Sequence, residues 1–356
     1  MLRDKGHTIS ITEKQDHIGG LCYTKTSANG ILYEPYGGHA FHTKDKDVKN
    51  FVLRFSDFND YKHNKGIIIN GILRHFPLSK KTILEMEESE NIIKELEARP
   101  STPDFTNFET YAISQFGNTL YKLFMYNYSL KMWGVEPREL TTEYISNRIK
   151  LTDTNTHIFE DKFQGIPRKG YTAFLKNMIH GIPLQLNVSK FEDSLFDLIL
   201  FSGRIDELLN FKFGDLEYRS LKFEYTENED WEDDNYGSIN LPQHARFIRK
   251  VNFKVMHRQQ SKESWIQYQE PIPFDEDNLP LYPLYTKRNI ELFDEYLSEV
   301  CKSDKLIPIG RLGLYKYLEM GQAIALAMNM VNIVEKWKDL TSNKRYHEIK
   351  KLLYNN

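Results

Sequence analysis

The sequence predicts an α/β fold interrupted by a helical block and then a β-rich block, and three observations carry that reading. Short apolar strands running into acidic or glycine turns open and close the chain, at HTISIT (7–12) and KLIPI (305–309). Helical spacing fills the first middle third, and repeated alternation from Phe211 to Tyr268 fills the second. A chain of 356 residues accommodates about two to three domains. Its 22 Phe and 21 Tyr supply enough apolar surface to exclude intrinsic disorder.

Taken in order, Leu2 to Gly6 reads as the C-terminal end of a helix, with Lys5-Gly6 as its stop signal. HTISIT alternates like a strand and ends at Glu13, and Asp16 to Gly20 follows as a glycine turn. Asp45 to Phe58 is helical through Val48, Phe51, Val52 and Phe55. Ile67 to Leu73 is a hairpin turning at Asn70-Gly71. Residues 80–98 and 105–132 are helical, the second interrupted near Gly117, and 140–151 is a further helix. FDLILF (196–201) reads as a strand covered on both faces. Several antiparallel strands follow, with ENEDWEDD (227–234) as a solvated acidic loop. Arg288 to Val300 is an amphipathic helix, and Gly310-Arg311-Leu312-Gly313 turns into a final helix ending near Trp337.

Charge and composition exclude several function classes. With 47 Lys+Arg against 50 Asp+Glu the net charge is −3, so no positive field draws nucleic acid or an anionic membrane. An anionic ligand must then meet a few placed arginines. The stretch 323–334 is too short to span a bilayer, and the N-terminus lacks the apolar core of a signal peptide. Cys22 and Cys301 form no disulfide framework and fit a cytoplasmic setting. His39 and His42 are spaced as a pair, but no Cys or HExxH context accompanies them, so no metal is expected.

A strand ending in an acidic residue before Gly-Gly is how a dinucleotide-binding fold meets a ribose, which marks Glu13, Gly19 and Gly20; a surface turn would look alike. The second glycine site, at Gly310 to Gly313, suits a diphosphate or a plain helix cap. Phe124, Tyr128 and Trp133 could stack on a planar base or fill a helical core. Arg148, Arg246 and Arg311 read equally as ligand arginines or surface ones. Tyr171, Tyr282 and Tyr317 lie near Gly or Pro, where a hydroxyl can serve phosphate or sugar.

Together these strings resemble the UDP-galactopyranose mutase family. The segments that carry the resemblance are HIGGLCY (17–23), YGGHAFHT (36–43), YNYSLKMWG (126–134), FQGIPRKGYT (163–172), SGRIDELLNFKFGDLEYRSLKFE (202–224), LYPL (281–284) and GRLGLYKYLEMGQ (310–322). The resemblance implies a flavin-dependent isomerase that interconverts UDP-galactopyranose and UDP-galactofuranose through a covalent flavin N5–sugar adduct, with FAD in its reduced form. It implies an FAD-binding Rossmann-like α/β domain (1–66 with 190–212 and 303–340). A helical substrate domain (78–150) and an antiparallel sheet domain (67–77 with 151–189 and 213–302) complete it. A homodimer is also implied. Residue by residue, Phe124 and Tyr128 look like the uracil contacts and Trp133 like the nearby tryptophan. Arg246 and Arg148 resemble the diphosphate arginines, and Tyr171, Tyr282 and Tyr317 the phosphate tyrosines. His39 and Gly38 fall in the flavin-side loop. Glu13, Gly19, Gly20, Arg311, Glu319 and Met320 would face FAD.

Departures from the family pattern accompany the match. Gly37-Gly38-His39 replaces Gly-Pro-His, Glu319-Met320 replaces Asp-Met, and Ser79 replaces an Asn. Lys5-Gly6-His7 aligns with the end of the family's first helix, so the first strand and its Gly-x-Gly-x-x-Gly turn are expected to be missing, through a start placed at an internal Met or through degeneration. The competing readings are an inactive truncated homologue that binds a UDP-sugar or a partner without FAD, and a flavin amine-oxidase-like oxidoreductase.

Overall fold

Residues 3–5 form a single 3-10 turn that Gly6 ends in the left-handed region, as the Lys5-Gly6 stop signal predicts. The structure is a computed structural model and describes residues 1–142, 151–154, 156–189 and 193–354. Strand β1 (Ile11–Thr12) is shorter than the alternation suggests, because its parallel partner offers only Leu184–Gln185. A small ribbon, β2 (Lys25–Thr26) with β3 (Leu32–Tyr33), leads to β4 (Phe41–Thr43) and helix α1 (Lys46–Val52). Asp45 starts α1 by accepting from the main-chain N–H groups of Asp47 and Val48, and the helix ends six residues before Phe58.

The hairpin forms as expected: β5 (Lys65–Ile69) and β6 (Ile72–Phe76) flank Asn70 and Gly71, both at positive φ. The helical block comprises α2 (Lys80–Leu84), α3 (Ser89–Glu97), α4 (Phe108–Leu120), a π-helical turn at Tyr121–Tyr126 and α5 (Asn127–Trp133). Ser79, the departure from the family Asn, caps α2 by accepting from Thr82 N at 3.1 Å. The interruption near Gly117 is real, with φ +79° and ψ +161° inside α4. A Cβ there would lie 2.7 Å from Glu95 Cβ, so both backbone and space require glycine. The helix expected over 140–151 falls mostly outside the described residues.

Strand β7 (Phe163–Gly165) pairs with β4, and helix α6 (Gly170–Met178) leads to β8 (Leu184–Gln185), the partner of β1. The stretch 151–189 was expected in the sheet domain; its described strands belong instead to the small pairs around the N-terminal segment. Strand β9 (Ile199–Phe201) forms from the FDLILF run, but Leu200 is 38% exposed. The both-faces-covered reading is therefore corrected, since one face of this strand reaches solvent; among the described residues it pairs with residues 306–308 alone. After α7 (Ile205–Leu208) come β10 (Tyr218–Glu227), β11 (Ser238–Asn240), β12 (Arg249–Asn252), α8 (Phe253–His257), β13 (Trp265–Pro273) and β14 (Tyr282–Pro283). With the hairpin they make one seven-stranded sheet, ordered β14-β10-β13-β12-β11-β5-β6. All its pairings are antiparallel except β11 with β5. The acidic loop is less solvated than expected, since Glu232 pairs with Lys250 and Glu229 accepts from Tyr268.

Helix α9 (Lys287–Val300) and β15 (Leu306–Pro308) follow, the latter parallel to β9. The single final helix is corrected to three: α10 (Gly310–Gly313), α11 (Met320–Lys336) and α12 (Ser342–Tyr354). Tyr315, at φ +42°, breaks the first from the second. The last was missed because its apolar spacing is sparse; buried Arg345 ties it to the Trp337 carbonyl at 2.8 Å.

Three apolar clusters hold these pieces. One joins the helical block to the inner face of the sheet, one gathers α9, α11 and α12, and one packs α1, α6 and α8 around Phe41 and Tyr171. Helix α11 meets β4 most closely at Gly321, where a Cβ would sit 2.4 Å from the His42 carbonyl oxygen. Gly321→Ala should therefore cost about 1–3 kcal/mol as the helix backs away from rigid backbone. A lowered urea midpoint at unchanged slope checks this, and an unchanged midpoint would contradict the contact.

Candidate active site

The inner face of the seven-stranded sheet, toward the helical block, carries the densest group of the expected residues. Side chains alternate across the sheet, so residues paired in register share a face. Arg249 pairs with Gln269, Gln267 with Tyr225, and Phe223 with Gln269, which places these five on one face. Glu270, Tyr268 and Lys250 stand on the other.

Arg249 was not among the sequence candidates, yet it is the centre of the group. Its guanidinium donates to the Tyr128 hydroxyl at 2.8 Å and to Asn240 Oδ1 at 3.2 Å. Burial acts to lower its pKa, and the oxygens of Tyr128, Tyr282 and Tyr317 outweigh this, so it stays cationic. The signal that could have found it is an arginine on the same strand face as Val251, which is buried. Asn240 was missed as well, and nothing in its flanking residues singles it out.

Tyr282 and Tyr317 stack with ring centroids 5.9 Å apart, and Trp133 meets Tyr282 edge-on at 6.3 Å. Arg311 lies over Tyr317, 4.5 Å from its centroid, and donates to the carbonyls of Leu281 (3.0 Å) and Leu318 (2.8 Å). Burial, then the neighbouring Tyr317 oxygen, pushes the Tyr282 hydroxyl up to about 12. Tyr128, Trp133, Tyr282, Tyr317 and Arg311 thus lie together around Arg249. Among the described residues no carboxylate pairs with Arg249 or Arg311.

Other candidates stand apart. Arg246 is exposed on the outer face, held by Glu224 and by Glu270 at 2.6 Å. The expectation that it meets a diphosphate is corrected, since two carboxylates already neutralise it away from the tyrosines. Phe124 is 5% exposed within the helical core, whereas Tyr128 is half-buried against it. The hydroxyl of buried Tyr171 donates to the His39 carbonyl at 2.9 Å, so this tyrosine holds a loop and is spoken for. Arg148 lies outside the described residues.

On the α/β side, Glu13 follows β1 at the carboxyl end of a parallel pair, where such folds bind nucleotides. Its carboxylate accepts from Gln15 N at 2.8 Å, leaving its second oxygen without a hydrogen bond of its own in that turn. Gly19 and Gly20 take φ of +94° and +53°, and a Cβ at Gly20 would point into open space. His39 sits in the loop Gly37-Gly38-His39, and burial lowers its pKa to about 4, so the ring is neutral at pH 7. His42, its partner by spacing, faces elsewhere: Asp161 and Glu319 clamp it, and Phe159 stacks on it at 3.5 Å. Glu319 also caps α11 reciprocally with Gln322, so its carboxylate braces the helix that begins at Met320. The carboxylate of Glu13, the open Gly20 and the half-buried, uncompensated Arg311 fit the ribose and ring portions of a dinucleotide.

Comparison with known proteins agrees with this division. The model for the UDP-galactopyranose mutase family matches residues 123–317, and that for an NAD(P)-binding Rossmann-like domain matches residues 1–55. A probable UDP-galactopyranose mutase of Klebsiella pneumoniae is 30% identical, over 92% of this chain and 88% of its own. The UDP-galactopyranose mutase of Mycoplasma genitalium is 29% identical over 92% and 89%. The dTDP-fucopyranose mutase of Escherichia coli is 27% identical over 94% and 93%. Among solved structures, a reduced UDP-galactopyranose mutase has the same fold, with a TM-score of 0.73 at 16% identity over 97% of this chain and 95% of that one.

Proposed function

Because the chain belongs to the UDP-galactopyranose mutase family, we propose that it interconverts the pyranose and furanose forms of UDP-galactose, with FAD as its cofactor. The observation that carries this reading is the pair of arginines, Arg249 and Arg311, set among Tyr128, Tyr282, Tyr317 and Trp133 without a carboxylate partner among the described residues. Half-buried cations without counter-charge suit an anionic ligand, and aromatic walls suit a base and a sugar.

Reduced FAD, when bound, supplies the nucleophile that exchanges with UDP at the anomeric carbon. The chain's own residues do the rest. Arg249 holds the diphosphate while it leaves and returns, and Asn240 and Tyr128 fix the guanidinium. Tyr282 and Tyr317 donate to phosphate oxygens, the Tyr282 hydroxyl remaining protonated at neutral pH. Tyr128 offers its ring to the uracil and Trp133 closes the sugar side. Glu13, Gly19, Gly20, Gly38, Arg311 and Met320 line the flavin, and His39 stands in the adjoining loop. Such chemistry, together with two unpaired cysteines, fits the cytoplasm.

The test is direct. Chain incubated with FAD, reduced with dithionite and supplied with UDP-galactofuranose should give UDP-galactopyranose by chromatography, with dTDP-fucofuranose as the parallel substrate. A chain that takes up no flavin, or turns over neither sugar, rejects the reading. Tyr128→Ala should weaken UDP binding about tenfold, the loss expected when one aromatic stack of roughly 1–3 kcal/mol is removed. Calorimetry checks this, and equal affinity would reject the stacking role.

A further inference from the structure

Behind His39 lies a buried polar cluster that the proposed chemistry leaves unused. Glu34 is fully buried, and its Oε1 accepts from His257 Nε2 at 2.8 Å and from Thr24 Oγ1 at 3.3 Å. Its second oxygen, Oε2, is buried without a hydrogen-bond partner. His39 carries the complementary defect, a buried Nδ1 that also lacks one. Both residues belong to the same loop, and the Glu34 charge acts on the His39 ring. A buried carboxylate oxygen and a buried ring nitrogen left unsatisfied in one loop call for an explanation.

The main chain of this loop is held from three sides. Gln267 Nε2 donates to the carbonyls of Glu34 (3.2 Å) and Pro35 (3.3 Å), and the Tyr225 hydroxyl donates to Pro35 at 3.1 Å. Tyr171 holds the His39 carbonyl. Gly38 is wedged so closely that a Cβ would meet Met256 Sδ at 2.8 Å and Val251 Cγ1 at 3.0 Å. None of these main-chain contacts is made by the imidazole.

We propose that Glu34 is a positioning residue for His39: its Oε2 is the acceptor to which His39 Nδ1–H turns, which leaves Nε2 as the lone-pair nitrogen offered to the ligand. A neutral imidazole carries one proton, and the hydrogen bond made by one nitrogen decides the role of the other. His257 and Thr24 occupy Oε1 and leave Oε2 to the ring. The groups facing the ring are Glu34 and the Gly37 carbonyl from its own loop and Arg311 from α10. Tyr171 from α6 packs edge-on to it, with centroids 6.3 Å apart. Burial is the largest influence and keeps the ring neutral. The functional weight of this tautomer rests on the flavin-side reading of the loop.

Nitrogen NMR of the flavin-free chain labelled in histidine tests it, with the His39 signals assigned by His39→Gln. The wild type should show Nδ1 protonated and Nε2 unprotonated at neutral pH. Glu34→Gln, which puts an amide donor beside Nδ1, should move the proton to Nε2 and lower the midpoint of the ring's titration. Where that variant fails to fold, His257→Gln serves: it keeps Glu34, and His39 must keep its Nδ1 proton. An Nε2-protonated His39 in the wild type overturns the proposal. So does a Glu34→Gln chain in which only the His257 signals move. UDP affinity of the same flavin-free protein is read separately, so loss of nucleotide binding would count against the mutase reading and not against this one.

Discussion

Arg249→Ala should lower turnover about 100- to 1,000-fold, the usual cost of removing one preorganised group that stabilises developing charge. The leaving diphosphate gains charge as the anomeric bond breaks, so a fixed cation beside it acts more strongly in the transition state than before it. Arg249 is suited to this by what it lacks: its hydrogen-bond partners are a tyrosine hydroxyl and an asparagine oxygen, both neutral. Its charge is therefore still available to a ligand. Arg249→Lys should recover only part of the loss, because an ammonium cannot hold Tyr128, Asn240 and a phosphate in one planar fork. Arg246→Ala is the control. Its guanidinium is already neutralised by Glu224 and Glu270 at the exposed outer face, where pairs contribute little, so turnover should stay within about threefold. Steady-state kinetics on folded, flavin-loaded variants decides between them. A severe loss at Arg246 with little at Arg249 would reverse the assignment.

That exchange of arginines shows where sequence reasoning reached and where it stopped. Motif strings marked Tyr128, Trp133, Tyr282 and Tyr317 for the nucleotide sugar and Arg311 for FAD, and the fold sets all five close together although they come from helix, sheet edge and C-terminal segments far apart in the chain. Trp133, Tyr282 and Arg311 have a glycine or proline beside them, and such contexts leave strong local patterns. Arg249 opens β12, whereas Arg246 lies three residues before it in the bend that precedes the strand, so strand alternation fixes the face of Arg249 and not that of Arg246. Similarity in the string ARFIRKVNF could not tell which arginine turns inward; the pairing of Arg249 with Gln269 decides it. The His39–His42 spacing is a different case. An apparent pair separates because His39 stays in an irregular loop while His42 enters β4, where Asp161 and Glu319 take it from opposite sides. The seven-stranded sheet was legible as alternation, but its order was not, since the hairpin joins through a parallel β11–β5 contact between segments about 170 residues apart.

Arg311→Ala should cost both stability and activity, and in this it should differ from Arg249→Ala. The Arg311 side chain bridges two segments: it donates to the Leu281 carbonyl before β14 and to the Leu318 carbonyl before α11. It also roofs the stacked Tyr282–Tyr317 pair. Each hydrogen bond from a charged donor contributes about 1.5–3 kcal/mol, and a cation over an aromatic face about 0.5–1. The site is open enough for water to reach part of what is uncovered, so the expected net loss is about 2–4 kcal/mol, below the plain sum. With the bridge gone the two tyrosines lose their common support, and turnover should fall about a hundredfold through misplacement of groups that must be held within a fraction of an ångström. Flavin occupancy, read from absorbance after gel filtration, should fall with it, whereas Arg249→Ala should retain flavin. Arg311→Lys should restore charge but reach only one carbonyl, leaving the melting temperature between wild type and alanine. If Arg311→Ala melts and turns over like the wild type, the tyrosine platform stands without it, and Arg249 alone meets the diphosphate.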